Sequence, residues 1–186
     1  MLSSRAGGQP PLDFGRVLDT LLAFFDREAV PAAVIGAFGL HAYGLTRATQ
    51  DLDLAVPAEA QSALVAFLES LGYETLHRSA GYSNHLHPAG ELGRVDVVYL
   101  HGETSDRLFA ACQTRPLGSR QVRVPRPEHL IAMKVQAMAN DPTRTLRELA
   151  DIQFLLSLDG VDQAEVRGYF ARAGLLDRYD EIQRLR

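Results

Sequence analysis

Apolar residues recur every three or four positions from 12 to 28, where Phe14, Val17, Leu18, Leu21, Leu22 and Phe25 fall on one side of an amphipathic helix. Pro31 ends it, Ala32 to Ile35 forms a short apolar strand, Gly36 a turn, and Ala37 to Tyr43 a brief helix closed by Gly44. Asp51 to Val56 is the next strand. Pro57 then opens a helix whose face is Leu64, Val65, Phe67, Leu68 and Leu71, stopped by Gly72. Residues 73–77, 84–87 and 94–100 pattern as strands, the last two joined across 88–93 as a hairpin, with a helix near 104–112 and a strand at 120–124 after them. From Pro127 the pattern is helical only, over 127–140, 143–158, 162–173 and 174–184, broken at Asn140-Asp141-Pro142, Asp159-Gly160 and Gly174. There is no internal repeat and no low-complexity linker. The expected fold class is α/β, in the α+β sense: a mixed sheet flanked by helices, then a helical C-terminal region. The expected organisation is a disordered tail at 1–11, an α/β core at 12–126, and a helical region at 127–186 packed on that core.

Composition narrows the class. With 46% apolar residues in 186, the composition is that of an ordinary folded protein, long enough for one generous domain or for a catalytic body with a small appended piece. No run approaches the roughly 18 apolar residues of a membrane helix, and Met1 to Pro11 lacks an apolar core of the signal-peptide kind, so no membrane role and a cytoplasmic location are expected. The single Cys112 excludes an internal disulfide and a cysteine-rich zinc site. A net charge of -4 argues against general coating of nucleic acid. Within that acidic chain, Arg107, Arg115, Arg120, Arg123 and Arg126 form a basic stretch without an acidic residue, and Lys134 is the only lysine.

The most informative feature is Arg47-Ala48-Thr49-Gln50-Asp51-Leu52-Asp53-Leu54. Side chains alternate faces along a strand, so Asp51 and Asp53 point the same way and Leu52 and Leu54 the other. Two like charges so placed repel unless a cation lies between them, and hard carboxylate oxygens suit Mg2+. Alone, an Asp-x-Asp pair is more often a turn or a cap. The company of Gly36, Arg47, Thr49 and Asp96 reverses that preference, because Asp96 sits among Val95, Val97 and Val98, where an unpaired carboxylate is costly to bury.

Val34-Ile35-Gly36-Ala37, His41-Ala42-Tyr43-Gly44 and Arg47-x-Thr49-x-Asp51-x-Asp53 together resemble the minimal nucleotidyltransferases of the DNA polymerase beta-like superfamily, most nearly the abortive-infection nucleotidyltransferase toxins of type IV toxin-antitoxin pairs. The resemblance runs from about residue 30 to about 156. It implies that Gly36 and Ala37, with Arg47 and Thr49, hold the nucleotide, and that Asp51 and Asp53 bind Mg2+ or Mn2+. Arg94-Val95-Asp96 is similar to the strand carrying the third carboxylate, so Asp96 is implied as a metal ligand or as the base that accepts the attacking hydroxyl's proton. Glu128 to Lys134 resembles the lysine helix and Arg147 to Ile152 the last motif, so Lys134 is implied to contact the triphosphate and Asp151 to orient that lysine or the site. Such proteins usually carry Gly-Ser or Gly-Gly where this chain has Gly36-Ala37, which removes a hydroxyl that could bind phosphate; backbone N–H groups can still do so.

Plainer readings exist for single residues. Lys134 shares a helix face with Leu130, Ala137 and Met138 and could snorkel from the edge of a core. Asp151 could simply pair with Arg147 one turn away. His85 and His87 lack further ligands nearby and suit a structural or solvent-facing role. Gly36, Gly39 and Gly44 match neither a dinucleotide fingerprint nor a P-loop.

The function expected on these grounds is Mg-dependent transfer of a nucleoside monophosphate from an NTP to an acceptor hydroxyl with release of pyrophosphate. The resemblance suggests an RNA end, such as a transfer RNA, or a partner protein as acceptor, and an antitoxin as partner. The alternatives are an aminoglycoside- or lincosamide-like antibiotic as acceptor, and a nucleotide-binding module without turnover.

Overall fold

The computed structural model describes residues 12–184; the tail expected at 1–11 lies outside the described residues. In chain order the elements are α1 (Phe14–Arg27), β1 (Ala33–Val34), α2 (Gly36–Ala42), β2 (Asp51–Pro57), α3 (Gln61–Ser70), β3 (Glu74–Arg78), β4 (Tyr82–Leu86), β5 (Arg94–Leu100), α4 (Gly102–Ala110), β6 (Gln113–Leu117), β7 (Arg120–Val124), α5 (Pro127–Asn140), α6 (Thr145–Leu156), α7 (Gln163–Arg172) and α8 (Leu176–Arg184). This is the expected mixed α/β class. Two compact units divide it: Met1–Ala32 with Ala48–Ser105, and Ala33–Arg47 with Asp106–Arg186.

The first unit is built on the strands β2-β5-β4-β3 in that spatial order. β2 and β5 run parallel, while β4 is antiparallel to both β5 and β3. Alternation sorts the two faces: Leu52, Leu54, Val56, Val95 and Val97 are buried on one, and Asp51, Asp53 and Asp96 stand on the other. Helix α1 starts at Asp13, whose side chain accepts from the Arg16 N–H at 3.0 Å, and buries Val17, Leu18, Leu21, Phe24 and Phe25. Phe24 stacks on Phe67 of α3 with ring centroids 4.4 Å apart. Gly93 takes φ 62 ahead of β5, and a Cβ there would lie 3.0 Å from Leu12 and 3.1 Å from Phe14, so only glycine fits between the β4–β5 connection and the start of α1.

In the second unit, helices α5 and α6 bury Leu130, Ile131, Val135, Ile152, Leu155 and Leu156 against a core that also holds Val166 and Phe170 of α7. The basic segment contains a hairpin, β6 with β7, and β6 is absent from the expectation. Leu117 pairs with Arg120 across Gly118-Ser119, with Gly118 at φ 61. Gln113-Thr114-Arg115-Pro116-Leu117 carries too few apolar residues to read as a strand, and the turn plus the apolar Val122 and Val124 of β7 draw it into one.

Candidate active site

In the first unit the β2–β5 register sets Asp53 directly opposite Asp96 and Asp51 opposite Arg94, all on one face of the sheet. Carboxylate oxygens of Asp51, Asp53 and Asp96 lie within 4.8 Å of one another. Asp51 and Asp53 are half-buried and Asp96 is buried. The Thr49 hydroxyl donates to Asp51 Oδ1 and thereby fixes that carboxylate's rotamer. Arg94 Nε donates to Asp96 Oδ1 at 2.6 Å, and its guanidinium also reaches the Tyr82 hydroxyl at 3.2 Å. The hydrogen bond to Asp96 raises the Arg94 pKa above its ordinary value. Three carboxylates against one guanidinium leave about two negative charges, and an all-oxygen donor set of this size fits a divalent hard cation such as Mg2+ or Mn2+.

The second unit holds the other expected residues. Gly36 takes φ 58 at the start of α2, and Ala37 is buried, so its methyl packs into the interior. His41 Nε2 lies 3.0 Å from the Arg47 N–H and 2.8 Å from the Arg47 carbonyl, which pins the segment after α2 to the helix that precedes it. Arg47 lies 3.4 Å from Asp151 Oδ2, and its Nε is buried without a partner. Lys134 does not snorkel: it is buried, and its Nζ donates to Asp151 at 2.6 Å and to Glu148 at 2.8 Å. Asp151 therefore does not pair with Arg147, whose guanidinium lies 3.2 Å from Glu148 instead. Burial pushes the Glu148 carboxyl up, but Lys134 and Arg144 outweigh it and hold it down at about 2.

Glu148 belongs to this cluster, although the sequence reading gave it no role. Its signal was available: it lies one turn before Ile152 and two before Leu155 on the buried stripe of α6, where a carboxylate requires a cationic partner. His85 and His87 part company. His85 is buried with Nε2 2.8 Å from Ser83 Oγ and Nδ1 3.1 Å from Thr75 Oγ1, whereas His87 Nε2 sits 3.1 Å from the Leu71 carbonyl. Several of the clustered arginines are engaged within the unit: Arg126 with Glu165 and Glu128, Arg123 with the Phe109 carbonyl, and Arg115 over the Tyr43 ring at 4.5 Å.

The fold is shared with known structures. The solution structure of the antibiotic-resistance factor ANT(2'')-Ia superposes with a TM-score of 0.68 over 93% of this chain and 97% of that one, at 18% identity. The chain has the nucleotidyltransferase fold. The lincomycin-bound lincosamide adenylyltransferase LnuA matches at TM-score 0.58 and 14% identity over 80% of this chain and 99% of that one. An antigenic nucleotidyltransferase-like protein from Paracoccidioides brasiliensis matches at 0.59 and 16% over 94% and 93%. No family model and no curated protein matches the sequence.

Proposed function

We propose that this chain is a divalent-cation-dependent nucleotidyltransferase that moves a nucleoside monophosphate from an NTP to an acceptor hydroxyl and releases pyrophosphate. The observation that carries this is the same-face meeting of Asp51 and Asp53 with Asp96 across β2 and β5. Asp51, Asp53 and Asp96 are the proposed metal ligands, with Asp51 held in place by Thr49. When bound, the cation supplies electrostatic stabilisation of the charge that develops on the phosphate oxygens. Asp96 takes the proton of the acceptor hydroxyl as the new O–P bond forms and the bond to pyrophosphate breaks. In the second unit, the proposed phosphate contact is Arg47, which is partly exposed and has an unpartnered Nε. Lys134 and Asp151 are proposed to position Arg47, since the Lys134 ammonium is committed to two carboxylates. Gly36 and Ala37 keep their proposed place beside the nucleotide.

For the acceptor, the charge of each unit supports one of two readings. The unit that bears the triad has twelve carboxylates against five arginines, which attracts a cation and repels a polyanion. We therefore favour a small cationic molecule with hydroxyl groups, the class of the tobramycin that ANT(2'')-Ia carries in adenylylated form. The second reading is an RNA end in a toxin that an antitoxin neutralises; its support is the arginine surplus of the other unit, fourteen bases against eleven carboxylates. Incubation with each α-labelled NTP and Mg2+, with tobramycin, lincomycin and total RNA as parallel acceptors, tests both. Label on an aminoglycoside supports the first reading and label on RNA alone supports the second. Nucleotide binding without pyrophosphate release under any of these conditions overturns the enzyme assignment.

A further inference from the structure

Asn84 of β4 lies directly opposite Asp96 in the antiparallel β4–β5 register, and Asp96 lies opposite Asp53 in the parallel β2–β5 register. Paired residues on adjacent strands share a face, so Asp53, Asp96 and Asn84 form one row across three strands, each about 4.8 Å from the next. The Asn84 carboxamide oxygen is buried and has no hydrogen-bond partner; the other two side-chain atoms in that condition among the described residues, Arg47 Nε and His129 Nδ1, both belong to the second unit. A buried acceptor left unpaired costs about 1–3 kcal/mol, so the protein without ligand carries a polar group that its own fold does not satisfy, next to a carboxylate already assigned to a cation.

We propose that Asn84 supplies a fourth, uncharged oxygen to the cation that Asp96 helps to hold. The inference rests on the cation site of the proposed function. Its chemistry explains the residue type: with Arg94 on Asp96, the triad is already matched to one divalent ion, and a carboxamide adds a hard oxygen ligand without a further negative charge. It also explains why the oxygen is left unpaired within the fold, since an intramolecular donor would compete with the ion.

Mn2+ is the probe, with the full-length chain, and binding is read from the loss of the aqueous Mn2+ resonance and from the metal-dependent shift in melting temperature. Asn84→Ala is expected to weaken Mn2+ binding by about tenfold or more, as loss of a group supporting a metal ligand set commonly does. Without metal it melts no lower than the parent, because the unsatisfied oxygen is gone. Asn84→Asp is expected to do the opposite on both counts, binding Mn2+ more tightly and melting lower without it. Unchanged Mn2+ affinity in Asn84→Ala overturns the inference, as does a clear loss of metal-free stability, which would make Asn84 a structural residue. A parent protein that does not bind Mn2+, or an Asp53→Asn variant that binds it as tightly as the parent, removes the triad site itself and Asn84 with it. That failure is distinct from loss of the Asn84 contribution alone.

Discussion

The ammonium of Lys134 on α5 donates to Asp151 on α6 at 2.6 Å with both residues buried. Such a group cannot be lost quietly. Lys134→Ala leaves Asp151 and Glu148 buried without their shared cation, and breaking a buried pair from one side costs about 3–5 kcal/mol. The family resemblance implies contact with the triphosphate; burial between two carboxylates ties the lysine to stability. Lys134→Met should lower the thermal midpoint strongly, and adding Glu148→Gln and Asp151→Asn should restore most of the loss. A single variant that melts like the parent would remove the energetic role assigned to the cluster.

The triad makes a second prediction. Removing charge from Asp51 and Asp53 relieves like-charge repulsion in the metal-free protein, so the double asparagine variant should melt at or above the parent in chelator. In Mg2+ the order reverses. A ligand that binds only the folded state stabilises by about 2.7 kcal/mol at a hundredfold excess over its Kd, and the variant should lose that increment. Differential scanning calorimetry with and without Mg2+ checks it, and an equal metal response in both proteins would count against the triad as the site.

The local period explains what the sequence could and could not disclose. The strict alternation in Asp51 to Leu54 and the apolar run around Asp96 place three carboxylates on strand faces, and β5 is found at the bounds expected for it. β6 was missed because its strand character comes from pairing with β7, not from its own pattern. The local pattern does not join Lys134 to its partners, since Glu148 and Asp151 are 14 and 17 residues away on another helix; only the family resemblance linked Asp151 to that lysine, and the buried stripe of α6 marked Glu148 as needing a cation without saying which. Linear clustering likewise could not show that Arg126 meets Glu165, 39 residues downstream.

Acid should unfold the protein in two windows. His85 is buried and its pKa is lowered by that burial, so it folds neutral while the unfolded chain still takes up a proton near pH 6.5. Its contribution is intact above pH 6.5 and declines as the pH falls below it. Glu148 is held at about 2 in the folded protein against an ordinary 4.5, so its contribution is intact above pH 4.5 and is lost as the pH falls from there toward 2. Thermal midpoints across pH 7 to 3 should show both declines. His129, whose pKa burial also lowers, titrates in the same window, so His85→Gln should shrink the upper decline and leave the lower, and a parent profile flat from pH 7 to 5 would contradict the His85 assignment.

Helix α1 ends in a turn whose geometry asks for glycine and receives alanine. The Val30 N–H donates to the Phe25 carbonyl at 2.9 Å and the Ala29 N–H to the Asp26 carbonyl at 3.3 Å, the paired bonds of a Schellman cap. That cap requires its terminal residue in the left-handed region, and Ala29 has φ 52, the only positive φ outside glycine among the described residues. A Cβ in that conformation costs about 1–2 kcal/mol, against about 0.5–1 kcal/mol for the extra unfolded-state freedom of glycine. The strain is the larger, so Ala29→Gly should stabilise the protein by several tenths of a kcal/mol to about 1 kcal/mol, raising the urea midpoint at an unchanged m-value. Ala29→Val, branched at Cβ, should lower it. A glycine variant less stable than the parent would mean that the α1 terminus does not hold the left-handed turn in solution.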